Sequence, residues 1–229
     1  MIIEQEQRTL EWHRARFGCF TGSKIADLMT TSRKKGEAWG ATAMSYIYKV
    51  AAERDFDPFL LDNDEFFAQF IADNNPTSKA MEWGIEHEDE AKECFRVNVC
   101  PDAEIVEVGS CKHDKVEGFA ASPDGLVYMR DCEEMKVLEI KCPNIDTFMR
   151  YRNEVHDAST LKNAKPAYYW QMQAEMACTG ANGGYFVAYQ PCLTHNLHYA
   201  EIERNEEDIK ALLERIELAN KAIDIMIHT

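Results

Sequence analysis

The sequence predicts an α+β domain, a small mixed β-sheet with helices packed on it. Three observations predict it. Short alternating segments bounded by turn residues recur at Ile105–Val108, Gly118–Ala121, Val137–Cys142, Tyr185–Tyr189 and Leu197–Glu203. Stretches with apolar residues at helical spacing lie before, between and after them. No repeat, low-complexity tract or Gly/Ser/Pro linker divides the 229 residues, so one domain is expected.

Residues 21–32 and 38–52 read as helices joined by the basic turn Arg33-Lys34-Lys35-Gly36, with Thr21 or Ser23 as the cap of the first. The stretch 53–77 is acidic and carries Phe56, Phe59, Leu60, Leu61, Phe66, Phe67 and Phe70. It reads as a helical excursion closed by Asn74-Asn75-Pro76, suited to a lid or a subunit contact. A helix is expected from Ser78 to Val97, and another over about Ala167–Cys178 that stops at Gly180. The last helix, 205–228, begins at Asn205 with Glu206, Glu207 and Asp208 in its first turn. Ile209, Leu212, Leu213, Ile216, Ala219, Ile223 and Met226 form its apolar stripe.

Composition narrows the function classes. Hydrophobic residues make up 45% and charged residues 28%, the balance of a globular domain rather than a disordered chain. No apolar run approaches the roughly 18–20 residues of a membrane helix, and the first residues lack a signal-peptide plan, so a soluble, unsecreted protein is expected. The eight cysteines are scattered without a C-x-x-C pair, which disfavours a cysteine-held metal and fits reduced core thiols. Net charge is −15, unsuited to coating nucleic acid by counterion release. The balance is uneven, however. Residues 1–49 hold eight Lys/Arg against five Asp/Glu, so contact with a polyanion is expected there.

Two features stand out chemically. On the 78–97 helix, Met81, Gly84, Ile85, Ala91 and Phe95 share an apolar face, and Glu88 lies in its middle. A carboxylate so placed needs a cation, either a metal or an Arg or Lys in a buried ion pair. In Val137-Leu138-Glu139-Ile140-Lys141-Cys142, strand alternation sends Leu138, Ile140 and Cys142 to the core and Glu139 with Lys141 to the other face. Upstream, Ser122-Pro123-Asp124-Gly125 places Asp124 at a turn across a hairpin. Hard oxygen ligands beside a lysine that can orient a water are what magnesium-dependent phosphodiester hydrolysis requires. The bland alternative is a surface hairpin with a charge pair.

These residues resemble the PD-(D/E)-x-K nuclease core, in particular its lambda exonuclease or YqaJ-like viral recombinase branch. Ser122-Pro123-Asp124-Gly125 and Leu138-Glu139-Ile140-Lys141-Cys142-Pro143 carry the core motif. Trp83-Gly84 with Glu88 resembles the branch's helix-borne acidic ligand, and Gln171-Met172-Gln173 its Q-x-Q motif. Trp12-His13-x-x-Arg16-x-Gly18 and Thr21-Gly22-Ser23 are similar to its N-terminal signature, and Leu197-His198-Tyr199 to a late strand. The likeness runs in order from about residue 11 to 204.

The resemblance implies a restriction-endonuclease-like fold and a 5′→3′ exonuclease that digests one strand of linear duplex DNA, leaving 3′ overhangs for single-strand annealing. Asp124, Glu139, the Ile140 carbonyl and Glu88 would hold two magnesium ions, for which manganese can substitute, about 4 Å apart. Lys141 would position and activate the attacking water, helped by Gln171, with Gln173 as the other candidate. Arg16, Ser23 and Ser122 would bind the 5′-phosphate. A DNA-end-binding segment would occupy about 1–52 and the nuclease core about 78–204. The resemblance further implies a homotrimeric ring around DNA, an annealing protein as partner, and a phage or prophage protein working in the bacterial cytoplasm. The 53–77 stretch is longer and more acidic than in the lambda enzyme. His87 stands beside Glu88 but about 100° around the helix, so an exposed histidine is expected rather than the metal ligand of RecB-type nucleases. The rivals are a RecB- or Cas4-like nuclease of other polarity, an inactive DNA-end-binding module, and a calcium-stabilised structural protein. The last gives no reason for Lys141.

Overall fold

The computed structural model describes residues 6–32, 34, 36–130 and 134–229. Arg33 and Lys35 of the basic turn, and Cys132, lie outside the described residues.

The chain opens with α1 (Leu10–Ala15), capped by the Thr9 side chain, and a two-residue strand β1 (Phe20–Thr21). The expected 21–32 helix is far shorter: a 3₁₀ turn at Gly22–Lys24 and one helical turn, α2 (Ile25–Leu28). Neither Thr21 nor Ser23 caps it, because Thr21 is engaged in a strand and its amide takes the Tyr46 hydroxyl as acceptor. α3 (Ala41–Arg54) follows. The acidic excursion is helical as expected, in α4 (Pro58–Leu61) and α5 (Asp64–Asn74). It packs against the segment just after α1 through Phe17, whose ring meets Phe56, Phe67 and Phe70 edge-on.

α6 (Lys79–Asn98) is capped by Ser78. Only the C-terminal part of its apolar face is covered. Ala91 and Phe95 are buried, whereas Met81 and Ile85 are exposed because the sheet does not extend beneath them. After α6 come β2 (Ala103–Val106), β3 (Cys111–Lys112), β4 (Phe119–Ala121), β5 (Gly125–Met129) and β6 (Met135–Lys141). Two helices absent from the sequence reading, α7 (Ile145–Glu154) and α8 (Ala158–Ala164), are capped by Asn144 and Asp157. α9 (Pro166–Thr179), β7 (Gly183–Tyr189), β8 (Leu197–Glu203) and α10 (Glu206–His228) complete the chain. α9 stops where Gly180 takes a left-handed φ of 79°, a conformation open to glycine at little cost.

The strands form two sheets rather than one. The main sheet has the order β2-β5-β6-β7-β8, with β6 and β7 parallel and the other neighbours antiparallel. A small second sheet, β1-β4-β3, pairs β1 parallel to β4 and so ties the N-terminal segment to the chain just before Ser122. Parallel pairing of β6 and β7 demands a crossover, which α7, α8 and α9 supply.

Helices cover both faces of the main sheet, which is why every residue of β7 is buried. Leu138, Ile140, Tyr185 and Val187 meet Ala91 and Phe95 of α6 on one face. Val137 and Phe186 join Met172 and Met176 of α9 on the other. α9 comes so close that a Cβ on Gly184 would lie 2.7 Å from both Met172 Cε and Val137 Cγ2. Glycine is required by that approach, and Gly184→Ala is expected to destabilise the fold by about 1–3 kcal/mol, measurable by urea unfolding.

Candidate active site

β5 and β6 form the hairpin that brings Asp124 beside Glu139 and Lys141. Asp124 precedes β5, its amide donates to the Leu138 carbonyl at 2.9 Å, and its Oδ2 accepts from the Ile140 amide at 2.7 Å. The alternation expected of β6 holds: Leu138 and Ile140 face α6, and Glu139 faces α9. The face bearing Glu139 is not open surface. Glu139 is fully buried, covered by Gln171 of α9, whose Nε2 donates to its Oε1 at 2.6 Å. Lys141 Nζ pairs with the same Oε1 and lies 5.1 Å from the Tyr168 ring centroid. The bland surface-hairpin alternative is thereby excluded.

The electrostatics follow from burial. Burial first, then the charge of Glu139, pushes the Asp124 carboxyl up to about 8, with Glu88 adding to the rise. Burial alone would lower the Lys141 ammonium, but Glu139 and Asp124 outweigh it and hold it above the ordinary lysine value. Glu175, one turn along α9 from Gln171, is 1% exposed, and its carboxyl is raised well above the usual range by burial and then by Glu139. Glu139 Oε2 and Glu175 Oε2 are buried with no hydrogen-bond partner among the described residues.

A carboxyl that is charged more readily in the unfolded chain costs the folded state stability as pH rises. Between the unfolded carboxylate range near 4 and about 8, folded Asp124 keeps its proton while unfolded Asp124 releases it. The metal-free protein is therefore expected to lose melting temperature from pH 5 to 8 in EDTA. Asp124→Asn should flatten that slope, and an unchanged slope would contradict the assignment.

Glu88 does not point into an apolar core. Its carboxylate pairs with Arg8, so the Arg ion pair is what meets it in this structure. It nevertheless lines the same cavity of about 430 Å³ as Asp124, with Gln7, Arg8, Lys92 and Val108. Arg8 holds a positive φ of 70°, and Gln7 beside it donates to the Val108 and Pro123 carbonyls at 2.9 and 2.8 Å. His87 is not exposed as expected. Its side chain is 16% exposed and stacks on Trp83, one turn back, at 4.0 Å between ring centroids.

Gln171 and Gln173 have separate places. Gln173 accepts from the Asn205 amide and donates to the Glu203 carbonyl, bracing the β8–α10 connection away from the carboxylates. Of the expected phosphate-binding residues, Arg16 lies over the Trp12 ring at 4.1 Å, and Trp12 Nε1 donates to Ser122 Oγ at 3.1 Å. Trp12 thus links Arg16 to Ser122. Ser23 is exposed on the 3₁₀ turn whose first residue, Gly22, lies against Ala121.

The residues present suit a hard divalent cation: Asp124 and Glu139 supply carboxylate oxygens, and one buried oxygen of Glu139 has no donor. Among the described residues no three His, Cys, Asp or Glu groups already converge at ligand spacing. Lys141 and Arg8 stand against Glu139 and Glu88 instead. Reasoning from sequence missed Glu175, Arg8 and the linking role of Trp12. Only Glu175 left a signal, an acid one turn from Gln171 in a helix otherwise rich in Met, Ala and aromatic residues.

A hairpin with Asp124 and Glu-x-Lys on a mixed sheet, backed by a helix carrying glutamine, defines the PD-(D/E)-x-K class of fold and site. The chain belongs to the YqaJ-like viral recombinase family, whose domain matches residues 11–182. Two solved structures of an alkaline exonuclease from Laribacter hongkongensis, one in complex with dAMP, are 28% identical. Each match covers 96% of this chain and 95% of that one, with TM-scores of 0.71 and 0.72. A phage-related exonuclease from Haemophilus somnus shares the fold at 16% identity and a TM-score of 0.66, over 92% of this chain and 95% of its own. No curated protein matches the chain.

Proposed function

We propose that the protein is a phage-type, metal-dependent exonuclease that digests one strand of linear duplex DNA from its 5′ end. It would leave 3′ overhangs for single-strand annealing, with an annealing protein as the downstream partner and a trimeric ring as the working assembly. The observation that carries the reading is the cluster of half-buried Asp124, Lys141 and Gln171 around fully buried Glu139, in a chain similar in structure to a solved alkaline exonuclease. A lysine held charged beside buried Glu139 and half-buried Asp124 has little to offer a purely structural hairpin.

Asp124 and Glu139, with Glu88 and the Ile140 carbonyl, would hold magnesium, which supplies positive charge to the attacking and leaving oxygens. The Lys141 ammonium orients the attacking water and balances charge gathering on the phosphate. The water oxygen bonds to phosphorus, the P–O3′ bond breaks, and the 3′ oxygen departs with a proton as the terminal 5′-mononucleotide leaves. The next nucleotide is then the new 5′-phosphorylated end. Gln171 keeps Glu139 in place, and Arg16, Ser122 and Ser23 would receive the terminal phosphate, a use of the N-terminal positive charge.

The test uses linear duplex labelled at the 5′ end of one strand or the 3′ end, with magnesium and then with EDTA. Early release of 5′-mononucleotide that EDTA abolishes is expected. Release from the 3′ label, or cutting of circular duplex, would keep the nuclease chemistry and discard the polarity. No cleavage with magnesium or manganese would point to a DNA-end-binding module instead.

A further inference from the structure

Glu175 has no part in the steps above, yet it is among the costliest side chains in the molecule to keep. A carboxyl at 1% exposure, on a helix surface formed by Met172, Ala174, Met176 and Cys178, would be replaced by leucine if packing were its only task. Its side-chain hydrogen bond to Gln171 is specific. Gln171 Nε2 donates to Glu175 Oε1 at 2.9 Å and to Glu139 Oε1 at 2.6 Å. A glutamine amide has two N–H donors, and here both are committed to carboxyls, one on α9 and one on β6. Without Glu175 the carboxamide has one anchor and is free to rotate away from Glu139. With it, the amide nitrogen is pinned between two fixed elements and its Oε1 is turned the other way. Gln171 thereby becomes a rigid part of the helix wall, and Glu139 inherits that rigidity.

We propose that Glu175 is a positioning residue: it fixes the orientation of the Gln171 carboxamide and, through it, the place of the Glu139 carboxylate. The kinetic consequence rests on the nuclease reading; the geometric one does not. Removing an acceptor so that a buried donor is left unpaired corresponds to roughly 10–100-fold.

Four variants test this: Glu175→Leu, Glu175→Gln, Gln171→Ala and the Gln171→Ala/Glu175→Leu double. Turnover is measured on 5′-phosphorylated linear duplex, and Mn²⁺ binding to the DNA-free protein by calorimetry. Glu175→Leu is expected to lower kcat and Mn²⁺ affinity by roughly 10–100-fold with little change in KM for DNA. Glu175→Gln, which keeps an acceptor for Gln171, should recover most of the loss. The double variant should be no worse than Gln171→Ala alone. Wild-type kcat and Mn²⁺ affinity in Glu175→Leu, equal losses in the Leu and Gln variants, or additive losses in the double would overturn the proposal. Should Glu175→Leu not fold, side-chain amide NMR of the wild type decides. Side-chain amide protons of Gln171 that are protected from solvent exchange support the proposal, and protons that exchange as fast as those of an exposed glutamine refute it. If the wild type cleaves no DNA, the nuclease reading falls, while Mn²⁺ binding and the Gln171 amide still judge Glu175.

Discussion

Lys141→Ala is expected to reduce turnover by roughly three orders of magnitude while DNA-end binding stays within a few-fold of the wild type. Two effects combine. The ammonium proposed to orient the water and face the developing charge is gone, and fully buried Glu139 loses the cation beside it. The second effect would also lower stability, so melting temperature and single-turnover rate should be measured on the same preparation, with binding followed by fluorescence anisotropy of a labelled duplex. A variant retaining a tenth of wild-type turnover would remove Lys141 from the mechanism. Arginine should not restore it, since a planar guanidinium does not fit where a compact ammonium meets one carboxylate oxygen.

Arg16→Ala is expected to abolish the preference for 5′-phosphorylated ends, lowering kcat/KM on them by about 10–100-fold and leaving 5′-hydroxyl ends almost unaffected. The guanidinium carbon lies over the Trp12 ring, and burial pulls the group below the ordinary arginine value. An arginine remains charged even so. Contact with the ring restrains the guanidinium before any phosphate arrives, which limits the ordering cost of binding. Competition assays with matched phosphorylated and hydroxyl ends give the answer. Equal wild-type rates on both would leave Arg16 without this role.

The site was legible in the sequence where a short period governs it. Glu139 and Lys141 share a face because strands alternate every two residues, and Asp124 announces itself through a Pro-Asp-Gly turn. Long helices with caps, α6 and α10, were legible for the same reason of regular spacing. Two-residue strands such as β1 and β3 have no period to read, so the second sheet was invisible. α7 and α8 each span ten residues or fewer, and their caps are common in loops as well. For Glu88, the pattern located an anomalous acid but could not name its partner, because Arg8 lies 80 residues away along the chain. Glu175 is the clearest loss. Its meaning depends on α9 lying across β6, a contact between elements that no local spacing encodes.

The pairing of β1 with β4 carries one more consequence. It places Thr21 beside Ala120, so the segment holding Arg16 and Ser23 is clamped to the strand that runs straight into Ser122, Pro123 and Asp124. Only one residue, a proline of fixed φ, separates Ser122 from Asp124, a span of roughly 7 Å at most. Gln7 grips that proline's carbonyl. The fold therefore holds Ser122 and Asp124 a short, stiff distance apart, a ruler that would run from the terminal phosphate to the cutting carboxylate. If the proposed end-binding role holds, the size of each fragment removed is written into that length, and adding a residue to the ruler would alter the product before it altered the chemistry.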